Sequence, residues 1–260
     1  MLPTLANPPL KNEVLIDVRC IHKTLGSQSI LRGVTLQVFQ GETLVLIGGS
    51  GGGKSVLIKH MIGLMHPDEG EISIGGLNIS RLTERQLGPV RRNMGYMFQN
   101  GALFDSLSVE ENVAFPLRRQ GINNLKELTK RVDEALEVVE LSEHAKKMPI
   151  DLSGGMRKRV ALARAIVTQP NCILYDEPTA GLDPIVTDII DQLILRLQKR
   201  LQVTSVVVTH DMKSVYRIAN RVAYLKEGKI YFIGTPDQLR VSQDPVIRDF
   251  TEGRSGMKSE

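Results

Sequence analysis

Two hydrophobic patterns take turns along the chain. Short unbroken apolar runs, Thr43 to Ile47, Asn171 to Tyr175 and Ser205 to Val208, are what parallel strands covered on both faces require. Between and after them apolar residues recur at helical spacing. Leu128, Val132, Leu136 and Val139 mark one face of a helix over Asn124 to Leu141. Val186, Ile189, Ile190, Leu193 and Leu197 mark another that begins at Pro184. Val14 to Val18, Gly33 to Val38 and the alternating Glu71 to Ile74 read as strands, with a turn at His66 to Gly70. Thr83 to Arg92 predicts a short helix interrupted at Gly88-Pro89, and Met94 to Phe98 a strand that ends at Gln99. Ser108-Val109-Glu110-Glu111 is a capping box whose helix Pro116 should stop. Ser153 begins a helix that ends before Pro170, and Val222 to Ile233 folds as a hairpin around Glu227-Gly228. The sum is an α/β core interrupted by helices between about residues 100 and 160.

Composition changes this picture little. The 260 residues are 42% hydrophobic and 24% charged, with a net charge of +4, as in an ordinary globular protein. The basic excess is compatible with nucleotide phosphates or an anionic membrane face. Cys20 and Cys172 each lie in an apolar run and are expected to be buried thiols, in a reducing compartment. No run approaches the ~18 apolar residues of a membrane span, and the proline-rich Met1 to Pro9 lacks the basic start of a signal peptide. The expectation is a soluble, cytoplasmic protein with a flexible N-terminal tail over 1–11, one domain over 12–250 and a C-terminal tail over 251–260.

The candidate chemistry begins at Gly48-Gly49-Ser50-Gly51-Gly52-Gly53-Lys54-Ser55. It stands between an apolar strand and a helix that Val56 to Ile62 continues, the setting in which GxxxxGK[ST] forms a P-loop. Glycines let successive backbone N–H groups wrap phosphate oxygens, and the helix start adds its positive end. Lys54 would reach the β- and γ-phosphates and Ser55 would hold magnesium. Asp176-Glu177 follows a buried strand, so Asp176 is placed for Mg²⁺ and Glu177 to deprotonate an attacking water. The alternative is a pair of solvated turn acids before Pro178. Gln99 and His210 end two further strands, where each is either a phosphate or metal contact or a plain polar strand end. Ser153-Gly154-Gly155 opens a helix either as a second phosphate cradle or as a capped helix start. One chain does not need two such cradles for one γ-phosphate. Two copies arranged head to tail would use both.

Taken in order, Gly48–Ser55, Gln99, Leu152-Ser153-Gly154-Gly155, Ile173 to Glu177, Gly181-Leu182-Asp183-Pro184 and His210 resemble the nucleotide-binding subunit of ABC transporters, over nearly the whole chain. The resemblance implies a P-loop NTPase fold with a RecA-like parallel sheet, an N-terminal antiparallel β part and an inserted helical subdomain. It implies ATP and Mg²⁺ as cofactors. Glu177, His210 and Gln99 would be the catalytic residues, and Ser55, Gln99 and Asp176 the metal ligands. Val56 would join the P-loop and Ser153 to Gly155 in binding nucleotide. It also implies a homodimer that sandwiches two ATP molecules. Leu25 stands where the family carries an aromatic against adenine. Phe98 to Leu117, Met156 with Arg157-Lys158-Arg159-Val160, Val56 and the ending Phe250 to Gly253 resemble the Mla/Mce-type lipid transporters. That subfamily implies a membrane permease docked on the helical segment, an Mce-type lipid-binding subunit, a peripheral position on the inner membrane, and no nucleic-acid partner. An ATPase for another cargo, or an ABC protein without a permease, is the alternative.

Overall fold

A computed structural model describes residues 13–254; the N-terminal tail and the last six residues lie outside it. In chain order the elements are β1 (Val14–Leu25), β2 (Gln28–Phe39), β3 (Thr43–Ile47), α1 (Lys54–Met61), β4 (Glu69–Ile74), β5 (Leu77–Asn78), α2 (Glu84–Arg92) and β6 (Met94–Met97). A helical run follows: α3 (Val109–Arg119), α4 (Leu125–Val138) and α5 (Gly154–Ile166). The chain then returns to strands and helices with β7 (Cys172–Asp176), α6 (Pro184–Leu201), β8 (Thr204–Val208), α7 (Met212–Ile218), β9 (Arg221–Lys226), β10 (Lys229–Gly234), α8 (Pro236–Arg240) and α9 (Pro245–Thr251).

The central sheet runs β10-β9-β3-β8-β7-β6 and is parallel except for β10, which folds back on β9. A second, antiparallel sheet has the order β2-β1-β4-β5. The two-residue period of a strand sorts the apolar runs into two cores. Leu44, Leu46, Leu174, Val206 and Val208 pack with the antiparallel sheet and with Leu57, Ile58 and Met61 of α1. Val45, Ile47, Ile173, Tyr175 and Val207 face the opposite way, into the core shared with α3, α4, α5 and α6. A strand buried on both sides therefore reads as an unbroken apolar run, and all five residues of β3, β7 and β8 are buried.

Three expectations are corrected. Pro116 does not stop its helix: α3 continues to Arg119 because Val113 and Leu117, on either side of the missing N–H, are fully buried. Burial of that face outweighs the lost hydrogen bond. Gly88-Pro89 likewise leaves α2 unbroken, held by buried Leu87, the Thr83–Gln86 capping box and Arg91, whose guanidinium donates to Ile62 O and Gly63 O. Cys172 is buried, with its thiol pKa pushed up to about 12 by desolvation, but Cys20 is exposed. Register shifts in β1 around Val18 to His22 turn its side chain off the core face. Strands β1 and β2 are also longer than expected, meeting at Gly26-Ser27.

Candidate active site

Because the inner strands are parallel, their C-terminal ends open on one edge, where crossover connections leave room for a ligand. The P-loop leaves β3 at this edge, Gln99 follows β6, Asp176 ends β7 with Glu177 next along, and His210 lies just beyond β8. One cleft of about 730 Å³ is lined by Gly48 to Val56, Gln99, Glu177, Ala180 and His210, with Ile30 and Phe250 as further apolar walls.

Within the P-loop, Gly53 enters α1 at φ 95, and a Cβ there would lie 3.0 Å from Ile30 Cγ2 and Leu31 Cδ2. Only glycine combines that backbone with that closeness. Lys54 Nζ donates to Gly48 O and Gly49 O, both at 2.8 Å, which folds the loop around the ammonium. Burial pushes the Lys54 pKa down, and the charges of Glu177 and Asp176 act in the opposite direction. Ser55 Oγ donates to Asp176 Oδ1 at 2.7 Å, joining residues 121 positions apart. Tyr96 donates to the other oxygen, Oδ2, at 3.3 Å, and its own pKa is raised by burial and by Asp176. Next to it, Glu177 Oε2 accepts from His210 Nδ1 at 2.7 Å. The imidazole is 67% exposed while the carboxylate is largely covered. Glu177 has φ 52, and its N–H donates to Val208 O at 3.0 Å, so the turn after β7 is tied to β8.

Ser55 and Asp176 are hard oxygen donors held together beside the phosphate loop, and this set fits Mg²⁺, which uses one or two carboxylates together with phosphate oxygens. Among the described residues no group of three or more His, Cys, Asp or Glu forms a metal cage. Ser55, Asp176 and Gln99 would hold it, and it would neutralise charge on the β- and γ-phosphates.

Ser153, Gly154 and Gly155 do not line this cleft. Ser153 caps α5 by accepting from Met156 N at 3.2 Å, and a Cβ on Gly155 would lie 2.4 Å from Val186 Cγ1 on α6. Leu25, at the tip of β1, is 40% exposed and is not among the cleft residues. Sequence reasoning missed Phe250, which stacks on Tyr224 with ring centroids 4.7 Å apart. Nothing in the chain's pattern connects a helix near residue 250 with a loop near residue 50.

A second concavity of about 460 Å³ includes Tyr96, Phe98, Phe104, Phe115, Pro116, Arg91 and Arg164. Phe104 and Phe115 pair at 4.6 Å, and Phe104 is 42% exposed. Buried Asn112 pins this loop, accepting from Phe104 N and donating to the carbonyls of Phe104 and Leu107. From the sequence, Leu103, Phe104 and Leu107 are expected to form an exposed apolar patch for the permease, with Asp105, Glu110 and Glu111 as an acidic rim. In the structure Leu103 packs partly against the core, Glu110 pairs with Lys146 and Glu111 caps α3. Phe98 and Phe115 join Phe104 instead.

With that geometry, comparison with known proteins is specific. The family model described as ABC transporter matches residues 31–180. The chain is 41% identical over 244 residues to the intermembrane phospholipid transport system ATP-binding protein MlaF of Haemophilus influenzae, covering 94% of this chain and 92% of that protein. It is 40% identical over 241 residues to a probable ribonucleotide transport ATP-binding protein, mkl, of Mycobacterium leprae, covering 93% and 70%. A solved dimeric ATP-binding cassette in a post-hydrolysis state, bound to ADP and Pi, superposes with a TM-score of 0.80. It is 33% identical, over 85% of this chain and 99% of that one. The chain belongs to the ABC transporter family, as an ATP-binding subunit that hydrolyses ATP.

Proposed function

We propose that this chain is the ATPase of a phospholipid transporter of the Mla/Mce type, working as a head-to-tail homodimer beneath a membrane permease. The catalytic part rests on one observation: the Ser55–Asp176 pair and the Glu177–His210 pair converge on the P-loop cleft, while Ser153 to Gly155 lie outside it. In this reading Lys54 exchanges its loop carbonyls for β- and γ-phosphate oxygens. Glu177 accepts the proton of a water as that water's oxygen bonds to the γ-phosphorus, and the bond to the ADP oxygen breaks. His210 orients Glu177 and the γ-phosphate, and Gln99 would hold the metal or the water. The Ser153 cradle of a second copy covers the nucleotide.

The cargo reading rests on the identity to a relative named for phospholipid transport. The relative named for ribonucleotide transport is as similar, and ribonucleotide is the second reading. The groove around Phe98, Phe104 and Phe115 suits a short amphipathic helix from a permease. Gln99 follows Phe98, so the residue that meets the nucleotide is joined directly to the groove. Among the described residues no helix is long and apolar enough to cross a membrane, and attachment through a permease would place the chain peripherally on the cytoplasmic side of the inner membrane. An Mce-type lipid-binding subunit would complete the assembly.

Phe104→Asp should lower capture of the permease by at least about tenfold, the usual effect of losing a central aromatic anchor, with nucleotide binding by the isolated chain unchanged. Lipid transfer by the purified complex in vesicles should fall in parallel. Normal permease capture by a folded Phe104→Asp chain would remove the docking assignment. A complex that carries ribonucleotide and no lipid would replace the cargo.

A further inference from the structure

Lys158 is the fifth residue of α5 and only 7% exposed, yet no carboxylate pairs with it among the described residues. A buried ammonium is unfavourable unless hydrogen bonds replace its water. Its Nζ donates to two backbone carbonyls, those of Gln99 and, at 3.2 Å, Glu177. These acceptors are 59 and 19 positions away in sequence and lie on two different loops of the cleft. Burial pushes the Lys158 pKa down, and the carboxylates of Glu177 and Asp176 oppose that shift.

The Glu177 contact is made where the backbone is least comfortable. At φ 52 a side chain with a Cβ is strained, and such a conformation persists only where its surroundings fix it. Three bonds do so: the Glu177 N–H donates to Val208 O, and its carbonyl accepts from Ala180 N at 3.2 Å and from Lys158. The same lysine sits just over one turn from Ser153, which does not line this chain's own cleft.

We infer that Lys158 is a positioning residue that ties the start of α5 to Gln99 and Glu177 of the same chain. Through it, what the Ser153 cradle meets is felt at the chain's own carboxylate. The inference rests on the catalytic reading of Glu177 given above. It predicts that Lys158 governs the rate of hydrolysis and not nucleotide affinity, since it touches no part of the P-loop.

The test compares Lys158→Met and Lys158→Arg in the full chain, measuring kcat, KM, ATP affinity and Tm. Lys158→Met should keep ATP affinity within about twofold and KM near the parent value. Its kcat should fall by about tenfold to a hundredfold, the effect of shifting a reacting group by up to about 1 Å. Lys158→Arg, which can still donate to both carbonyls, should recover most of the rate. In a Glu177→Gln background Lys158→Met should cost little more, because both changes act on one group. A parent kcat in folded Lys158→Met would overturn the inference alone. So would a joint fall of affinity, kcat and Tm without rescue by arginine, the behaviour of a merely structural contact. Parent-rate hydrolysis by Glu177→Gln would overturn the catalytic reading and this inference with it.

Discussion

At Gly53 the chain enters α1 with a positive φ and no side-chain cap, whereas at Ser153 it enters α5 extended, with its hydroxyl capping Met156 N. Both are glycine-rich helix starts, and they use glycine for opposite reasons. In the P-loop glycine supplies backbone conformations that turn N–H groups inward and leave them open to a ligand. At Gly155 the backbone is ordinary helix, and the missing Cβ makes room for Val186. One start is a built cleft closed by this chain's own Asp176 and Glu177. The other is a self-capped corner packed against Val186 of α6. A glycine cluster at a helix start does not by itself say where the phosphate will sit; the elements packed behind it do.

The largest expected effect separates the two starts directly. Lys54→Ala should lose both nucleotide binding and hydrolysis. Ser153→Arg should lose hydrolysis and still bind ATP, because its own P-loop is intact. Mixing the two variants should restore part of the activity, since each heterodimer would combine one intact site with one doubly defective site. Parent-level hydrolysis by Ser153→Arg alone would refute the shared site. Next in size, Glu177→Gln should leave ATP binding unchanged and slow hydrolysis by about two to four decades, the usual worth of a positioned base. It should also accumulate an ATP-bound dimer, visible by size-exclusion chromatography with light scattering.

Smaller effects sharpen the contrast in glycine use. Gly155→Ala should lower stability by up to about 2 kcal/mol, read from the urea midpoint. The clash with a stiff valine costs about 1–3 kcal/mol, and the better helix propensity of alanine returns up to about 1. A stabilised variant would mean that Val186 moves freely. Smallest of all, Phe250→Ala should weaken ATP binding by up to roughly tenfold, which is the ~0.5–1.5 kcal/mol of an aromatic contact expressed as affinity. Pyrophosphate binding should not change. An equal loss for both ligands would place Phe250 against the phosphates, and no loss for either would leave Ile30 as the apolar wall.

Much of the fold was legible because its strands are buried on both faces. Runs such as Leu44 to Ile47 and Ile173 to Tyr175 have no other economical explanation than inner strands of a covered sheet. Helix starts were legible as well: Ser108 with Glu111, and Asp183 before Pro184, satisfy orphan N–H groups within three residues of themselves. The misreadings at Pro89 and Pro116 came from weighing a local penalty without the burial that opposes it. Cys20 was misplaced because an irregular register cannot be read from composition.

The site divides along the same line. The sequence by itself determined which groups are candidates, since the P-loop, Asp176-Glu177, Gln99 and His210 each stand at the end of an apolar run, and strand ends are local facts. Only the tertiary structure decided which of these groups meet. Ser55 and Asp176, Glu177 and His210, and Lys158 with Gln99 and Glu177 are contacts between segments 19 to 121 residues apart. Strand order in the sheet sets them, through the burial of the two cores. Phe250 and Asn112 belong to that second class: both stand in stretches that carry the resemblance, but each acquires its place from what packs around it.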